Sequence, residues 1–167
     1  MRRAHAAAGS AVFLVLVPGT VAGLVPWWLT HWRSGPAYPL PVRVGGAVLA
    51  AAGAAVLLHA FTRFVIDGLG TPAPIAPTER LVVSGLYRYV RNPMYLAVVA
   101  VITGQAILLS RLILLTSAAA VAATVAPFVH RYEEPTLSRQ HGIAYQRYRQ
   151  TVPAWLPRLR RRPIGRD

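Results

Sequence analysis

Met94-Tyr-Leu-Ala-Val-Val-Ala-Val-Ile-Thr-Gly-Gln-Ala-Ile-Leu-Leu109, Ser110-Arg111, Leu112-Ile-Leu-Leu-Thr-Ser-Ala-Ala-Ala-Val-Ala-Ala-Thr-Val-Ala-Pro-Phe-Val-His130: two apolar runs meet at a single polar dipeptide. A membrane-spanning helix needs roughly 17–25 apolar residues, and two spans joined this closely must form an antiparallel hairpin. Two more such stretches precede them, at about residues 11–29 and 44–64. The first ends in Trp27 and Trp28, which suit a membrane interface. The second is rich in Ala and Gly, which let helices approach closely. Pro18 and Pro127 fall inside spans, where neighbouring helices can satisfy the carbonyls they free.

Composition agrees. Of the 167 residues 54% are hydrophobic and 14% charged, against about 25% charged in a soluble domain. Mean hydropathy is +0.43. Disorder is excluded by this apolarity, and the absence of cysteine excludes a disulfide scaffold and thiol catalysis. The net charge of +13 comes from 18 basic residues, all arginine, against 5 acidic ones. In a soluble chain that would suggest nucleic acid; in a membrane chain it reads as arginine gathered on the cytoplasmic side. No nucleic-acid partner is expected.

All arginines but Arg33, Arg43 and Arg111 lie at the N-terminus, around the segment between the second and third stretches, or in the C-terminal tail. Both termini are therefore expected in the cytoplasm, in the inner or plasma membrane if the chain is bacterial. A signal peptide at the N-terminus is disfavoured by the length of its apolar run and by the spans that follow. After His130, Leu137, His141, Tyr145, Tyr148 and Val152 recur at spacings of three and four, predicting an amphipathic cytoplasmic helix that ends at Pro153. The basic run Arg158 to Arg162 either contacts anionic lipid or only enforces orientation. The expected architecture is all-α: one domain over residues 1–167, an integral membrane bundle of about four transmembrane helices (11–29, 44–64, 94–109, 112–130) plus that C-terminal helix.

Two polar clusters flank the hairpin on the cytoplasmic side. Ser84-Gly-Leu-Tyr-Arg-Tyr-Val-Arg-Asn-Pro-Met-Tyr95 precedes its first arm, with Asn92 placed as an N-cap and Pro93 in the first turn. His130-Arg-Tyr-Glu-Glu-Pro135 follows its second arm. Arg88 and Arg91 could serve only as interfacial anchors, and Glu133 and Glu134 only as favourable charges at a helix start. His59 reads as a packed histidine, and no metal-ligand spacing is present. Because the arms are antiparallel, both clusters return to one rim, where carboxylates and aromatic rings suit a cation and arginine suits a carboxylate or phosphate.

Four strings in order resemble one family. Gly70-Thr-Pro-Ala-Pro74, Leu81 through Tyr95, Glu133-Glu-Pro-Thr-Leu137 and Gly142-Ile-Ala-Tyr-Gln-Arg-Tyr-Arg-Gln-Thr-Val-Pro153 look like the isoprenylcysteine carboxyl methyltransferases and their phospholipid methyltransferase relatives, over about residues 68–158. The resemblance implies a membrane methyltransferase using S-adenosylmethionine to methylate a lipophilic acceptor, a prenylcysteine-like carboxylate or a lipid amine. It places the cofactor site on Leu81, Val82, Gly85, Tyr87, Arg91, Asn92, Pro93, Tyr95, His130, Glu133 and Glu134. For the chemistry itself, Arg131 or Arg91 is the candidate to hold a carboxylate acceptor, and Glu133, Glu134 or a nearby water the candidate to take the proton of an amine. Asn92 stands where the eukaryotic prenylcysteine enzymes have histidine. Two alternatives remain at this point: an NADPH-dependent membrane reductase of related architecture, and a small transporter or structural protein, which would favour an ionisable group deep within a span.

Overall fold

A backbone in hydrocarbon must pair its own N–H and C=O groups, and a helix does so within one segment. The computed structural model describes residues 2–68 and 81–158, and within them every regular element is helical. The string Gly70–Pro74 and most of the basic run after Arg158 lie outside the described residues. Helix α1 (Arg2–Leu16) leads through a wide π turn (Thr20–Leu24) into the short α2 (Val25–Thr30). Next come α3 (Leu40–Arg63), which ends in a second π turn (Phe64–Gly68), and a 3₁₀ turn (Gly85–Arg88). The chain finishes with α4 (Pro93–Leu108), α5 (Leu112–Phe128), a third π turn (Val129–Glu133) and α6 (Glu134–Thr151).

Three continuous helical stretches are long and apolar enough to cross a membrane: Ala7–Thr30, Leu40–Asp67 and Leu112–Thr151. The remaining apolar helix, α4, has 16 residues, so it rises about 24 Å, short of a hydrocarbon core of about 30 Å. The expected count of four crossings is thus met in length by three. Helix α4 sits inside the bundle, with Ala97, Ile102 and Ala106 buried.

Small residues draw α3 and α4 together. A Cβ added at Gly46 would lie 2.6 Å from the Leu108 nitrogen, and one at Gly104 would lie 2.6 Å from the Gly46 carbonyl oxygen. At the far end of α4, Ser110 takes a left-handed conformation (φ 53°). The Arg111 N–H then donates to Ala106 O at 2.9 Å and the Ser110 N–H to Ile107 O at 3.2 Å. That pair of bonds is a Schellman stop, and it turns the chain straight into α5 as the two-residue connection required.

Proline is accommodated by a neighbour, at Pro26. Having no N–H, Pro26 offers nothing to the carbonyl of Ala22 four residues earlier; Gln105 Nε2 of α4 donates to it at 2.7 Å. Gln105→Leu should therefore lower stability by about 1–3 kcal/mol, the cost of an unpaired buried carbonyl, read as a fall in melting temperature in detergent.

The amphipathic helix expected after His130 is present as α6, ending just before Pro153. It is not a separate element, because α5 runs through the third π turn into α6 as one continuous stretch, Leu112–Thr151. Pro135 falls in the first turn of α6, where a missing N–H is tolerated. The bend comes later, at Gly142 (φ 51°, ψ −126°), a conformation open to glycine because it has no Cβ. The amphipathic stripe does face the bundle, with Tyr145 and Val152 buried.

Candidate functional site

The segment before α4 is clamped to the end of α3. Ser84 Oγ donates to Asp67 Oδ2, and Arg63 lies 3.6 Å from the same carboxylate. Gly85 turns the chain with φ 58°, so close to α3 that a Cβ there would lie 2.7 Å from His59 Nε2. His59 itself is exposed, which corrects the expectation of a histidine packed in the core. The 3₁₀ turn that follows buries Tyr87, whose ring meets Phe64 edge-on at 5.5 Å. Burial, helped by the nearby Tyr148, Glu133 and Tyr95, pushes the Tyr87 phenol well above its usual pKa, so it stays neutral.

Asn92 occupies the N-cap position of α4, yet its side chain does not cap. Its Nδ2 donates instead to Ala154 O at 3.1 Å. The Arg91 N–H donates to Pro153 O at 2.9 Å and the Arg158 N–H to Tyr89 O at 3.1 Å. The tail after α6 is thereby stitched along residues 89–92, and Pro93 starts α4 with no N–H left to satisfy.

From this platform Arg91 reaches α6. Its Nη1 donates to Glu134 Oε1 at 2.7 Å and to Tyr145 Oη at 3.3 Å. Glu134 is buried, with Arg149 Nε and His130 Nδ1 each 3.7 Å from its other oxygen. Tyr95 Oη donates to Glu133 Oε2 at 2.9 Å, and Tyr148 Oη to the Tyr87 carbonyl at 2.7 Å. One donor remains over: Arg91 Nε is buried and has no hydrogen-bond partner among the described residues.

Of these groups Tyr87, Arg91, Tyr95, Glu133, Glu134, Tyr145 and Tyr148 line one end of a 440 Å³ cavity. Its other end is apolar: Phe13 and Val21 from the first span, Phe61 from α3, Val98 from α4, and Val121 and Val125 from α5. A polar mouth and a hydrocarbon-like interior within one hollow suit an amphiphile, or two ligands meeting head to tail.

Of the site residues expected from sequence, Leu81, Val82, Tyr87, Arg91, Asn92, Pro93, Tyr95, Glu133 and Glu134 line this cavity. Gly85 lies behind them, against α3. His130, 77% exposed, touches the site only through Glu134. Arg131 is exposed and stands outside the lining. Sequence reasoning missed Thr136, Gln140, Tyr145 and Tyr148 of α6, and the contribution of Phe13, Val17 and Val21. The stripe through Tyr145 and Tyr148 was the available signal for α6, but it fits a helix lying against the bundle or against the membrane surface and does not single out these residues as cavity lining. The first span offers only apolar residues, which carry no such signal.

Compared with known protein families, residues 42–144, well over half of the chain, match the family described as phospholipid methyltransferase. No curated protein and no solved structure matches it.

Proposed function

The chain belongs to the phospholipid methyltransferase family, and from that premise we propose that it methylates the amine of a lipid with S-adenosylmethionine as donor, at the Arg91–Glu134 end of the cavity. The observation that carries this reading is the composition of that end. Two carboxylates, Glu133 and Glu134, stand there with one partly buried arginine whose buried Nε is still free to donate.

The residues fit the donor's chemistry. S-adenosylmethionine supplies, when bound, a methyl group made electrophilic by a sulfonium cation, and it carries an ammonium and a carboxylate of its own. Carboxylates and tyrosine faces favour cations, and Glu133, Glu134, Tyr95 and Tyr145 provide both around the cavity. A free guanidinium N–H favours a carboxylate, which assigns Arg91 Nε to that group. His130 and Arg131, both exposed, have no direct part in this arrangement.

Methyl transfer asks for alignment and charge placement more than covalent help. An amine acceptor must also lose a proton. Glu133 is the candidate base, held in place by the Tyr95 hydroxyl. Glu134, tied to Arg91, has the positioning role. The apolar end receives hydrocarbon, and Arg91, Glu133 and the tail form the cytoplasmic side, consistent with both termini lying there.

The test is incorporation of label from methyl-labelled S-adenosylmethionine into lipid, with the protein in phosphatidylethanolamine vesicles. Label in the lipid that survives alkali marks N-methylation and is the expected result. Label released by alkali as volatile methanol marks a carboxylate acceptor and overturns the choice of amine. No label, despite saturable donor binding, removes a phosphatidylethanolamine acceptor.

A further inference from the structure

A second hollow of 220 Å³ lies against the α4–α5 hairpin, half the volume of the main cavity. Helix α4 contributes Leu96 and Val99, helix α5 contributes Ala122 and Ala126, and Trp155 of the tail also lines it. Tyr95 and Val125 line both hollows, so these two side chains are the partition between them. The Tyr95 hydroxyl is already committed to Glu133 on the main-cavity side.

We propose that this second hollow holds one hydrocarbon chain of a two-chain lipid acceptor, while the other chain lies in the apolar end of the main cavity. The head group then straddles Tyr95, beside Glu133. This assignment rests on the lipid-amine reading above.

Four observations select the occupant. The lining is aliphatic apart from Tyr95 and Trp155, so nothing charged or strongly polar is accommodated. The hollow is too small for a packed helix, which is about 10–12 Å across with its side chains; a hydrocarbon chain is thin enough. Ala122 and Ala126 are exposed on α5, inside the apolar part of a membrane-crossing stretch, where lipid chains are the solvent. Trp155 stands at the tail end of the hollow, and indole rings favour the level where lipid chains give way to head groups.

Filling the hollow tests the assignment. Binding of dioleoylphosphatidylethanolamine and of one-chain oleoyl-lysophosphatidylethanolamine is compared by native mass spectrometry on the detergent-purified full chain, with S-adenosylmethionine affinity measured separately. The wild-type chain should hold the two-chain lipid at least about tenfold more tightly, equivalent to about 1.4 kcal/mol. Ala122→Phe and Ala126→Phe should each reduce the two-chain lipid to the one-chain level, leaving one-chain and S-adenosylmethionine binding unchanged. Ala123→Phe, on the same helix but outside both linings, should behave as wild type.

Wild-type preference surviving in both filled variants, or absent from the wild-type chain, overturns the assignment. Equal loss in Ala123→Phe does the same, because bulk anywhere on α5 would then account for the effect. Failure of the wild-type chain to bind S-adenosylmethionine removes the methyltransferase reading instead, and leaves the lipid comparison to decide the hollow.

Discussion

Arg91→Leu should destabilise the protein by about 3–5 kcal/mol, because it strands a buried carboxylate. Glu134 keeps only 9% of its side chain exposed and receives the Arg91 bond at 2.7 Å. Arg149, 3.7 Å away and 51% exposed, can offset only part of the loss. Leu at both positions 91 and 134 should recover most of the stability, since a buried ion pair replaced by packed apolar groups is often neutral. S-adenosylmethionine binding should stay lost in that double variant. Melting temperature in detergent, read beside calorimetric titration of the four-membered set, separates the structural part of the pair from its binding part. Arg91→Lys keeps the charge without the planar fork and should restore stability more fully than binding.

Gly104→Leu should be as damaging, through packing alone. The first added atom would lie 2.6 Å from the Gly46 carbonyl oxygen and 2.8 Å from Ala50 Cα. Both belong to the α3 backbone, so neither can move aside as a side-chain tip does. Overpacking of this kind costs typically about 1–3 kcal/mol and more where backbones must part, and here α3 and α4 would separate along their length. Gly45→Leu is the matched control: nothing lies within 4 Å of a Cβ there, so stability should hold or rise slightly with helix propensity. Size-exclusion profiles and melting curves of the two variants should diverge plainly.

The legible parts of the fold were those set by short-range chemistry. The two residues between Leu109 and Leu112 demanded an antiparallel hairpin, and that hairpin is what brings Arg91 to Glu134. The glycines and alanines of the second stretch announced a close helix neighbour, though not that Gly104 would supply the other surface. What stayed hidden depended on partners distant in sequence. Asn92 looked like a cap because its side chain can accept from the helix start; the nearby Ala154 carbonyl takes its amide instead. Glu133 and Glu134 suited the start of a fresh helix, whereas the π turn through Glu133 lets α5 run on into α6. Gly142 is compatible with a helix by propensity, at about 1 kcal/mol relative to alanine, so its bend left no pattern to read. The shortness of α4 was legible by contrast: the apolar run 94–109 is already bounded by Pro93 and Ser110 in the sequence.

The most direct test of the whole account is a calorimetric titration of S-adenosylmethionine into the purified chain and its Glu134→Gln variant. Saturable binding is expected in the wild type, weakened by about 10–100-fold in the variant, in line with the loss of one charge-assisted hydrogen bond. Wild-type affinity in a folded Glu134→Gln chain, or no binding to the wild type at all, would contradict a cofactor site built on the Arg91–Glu134 pair.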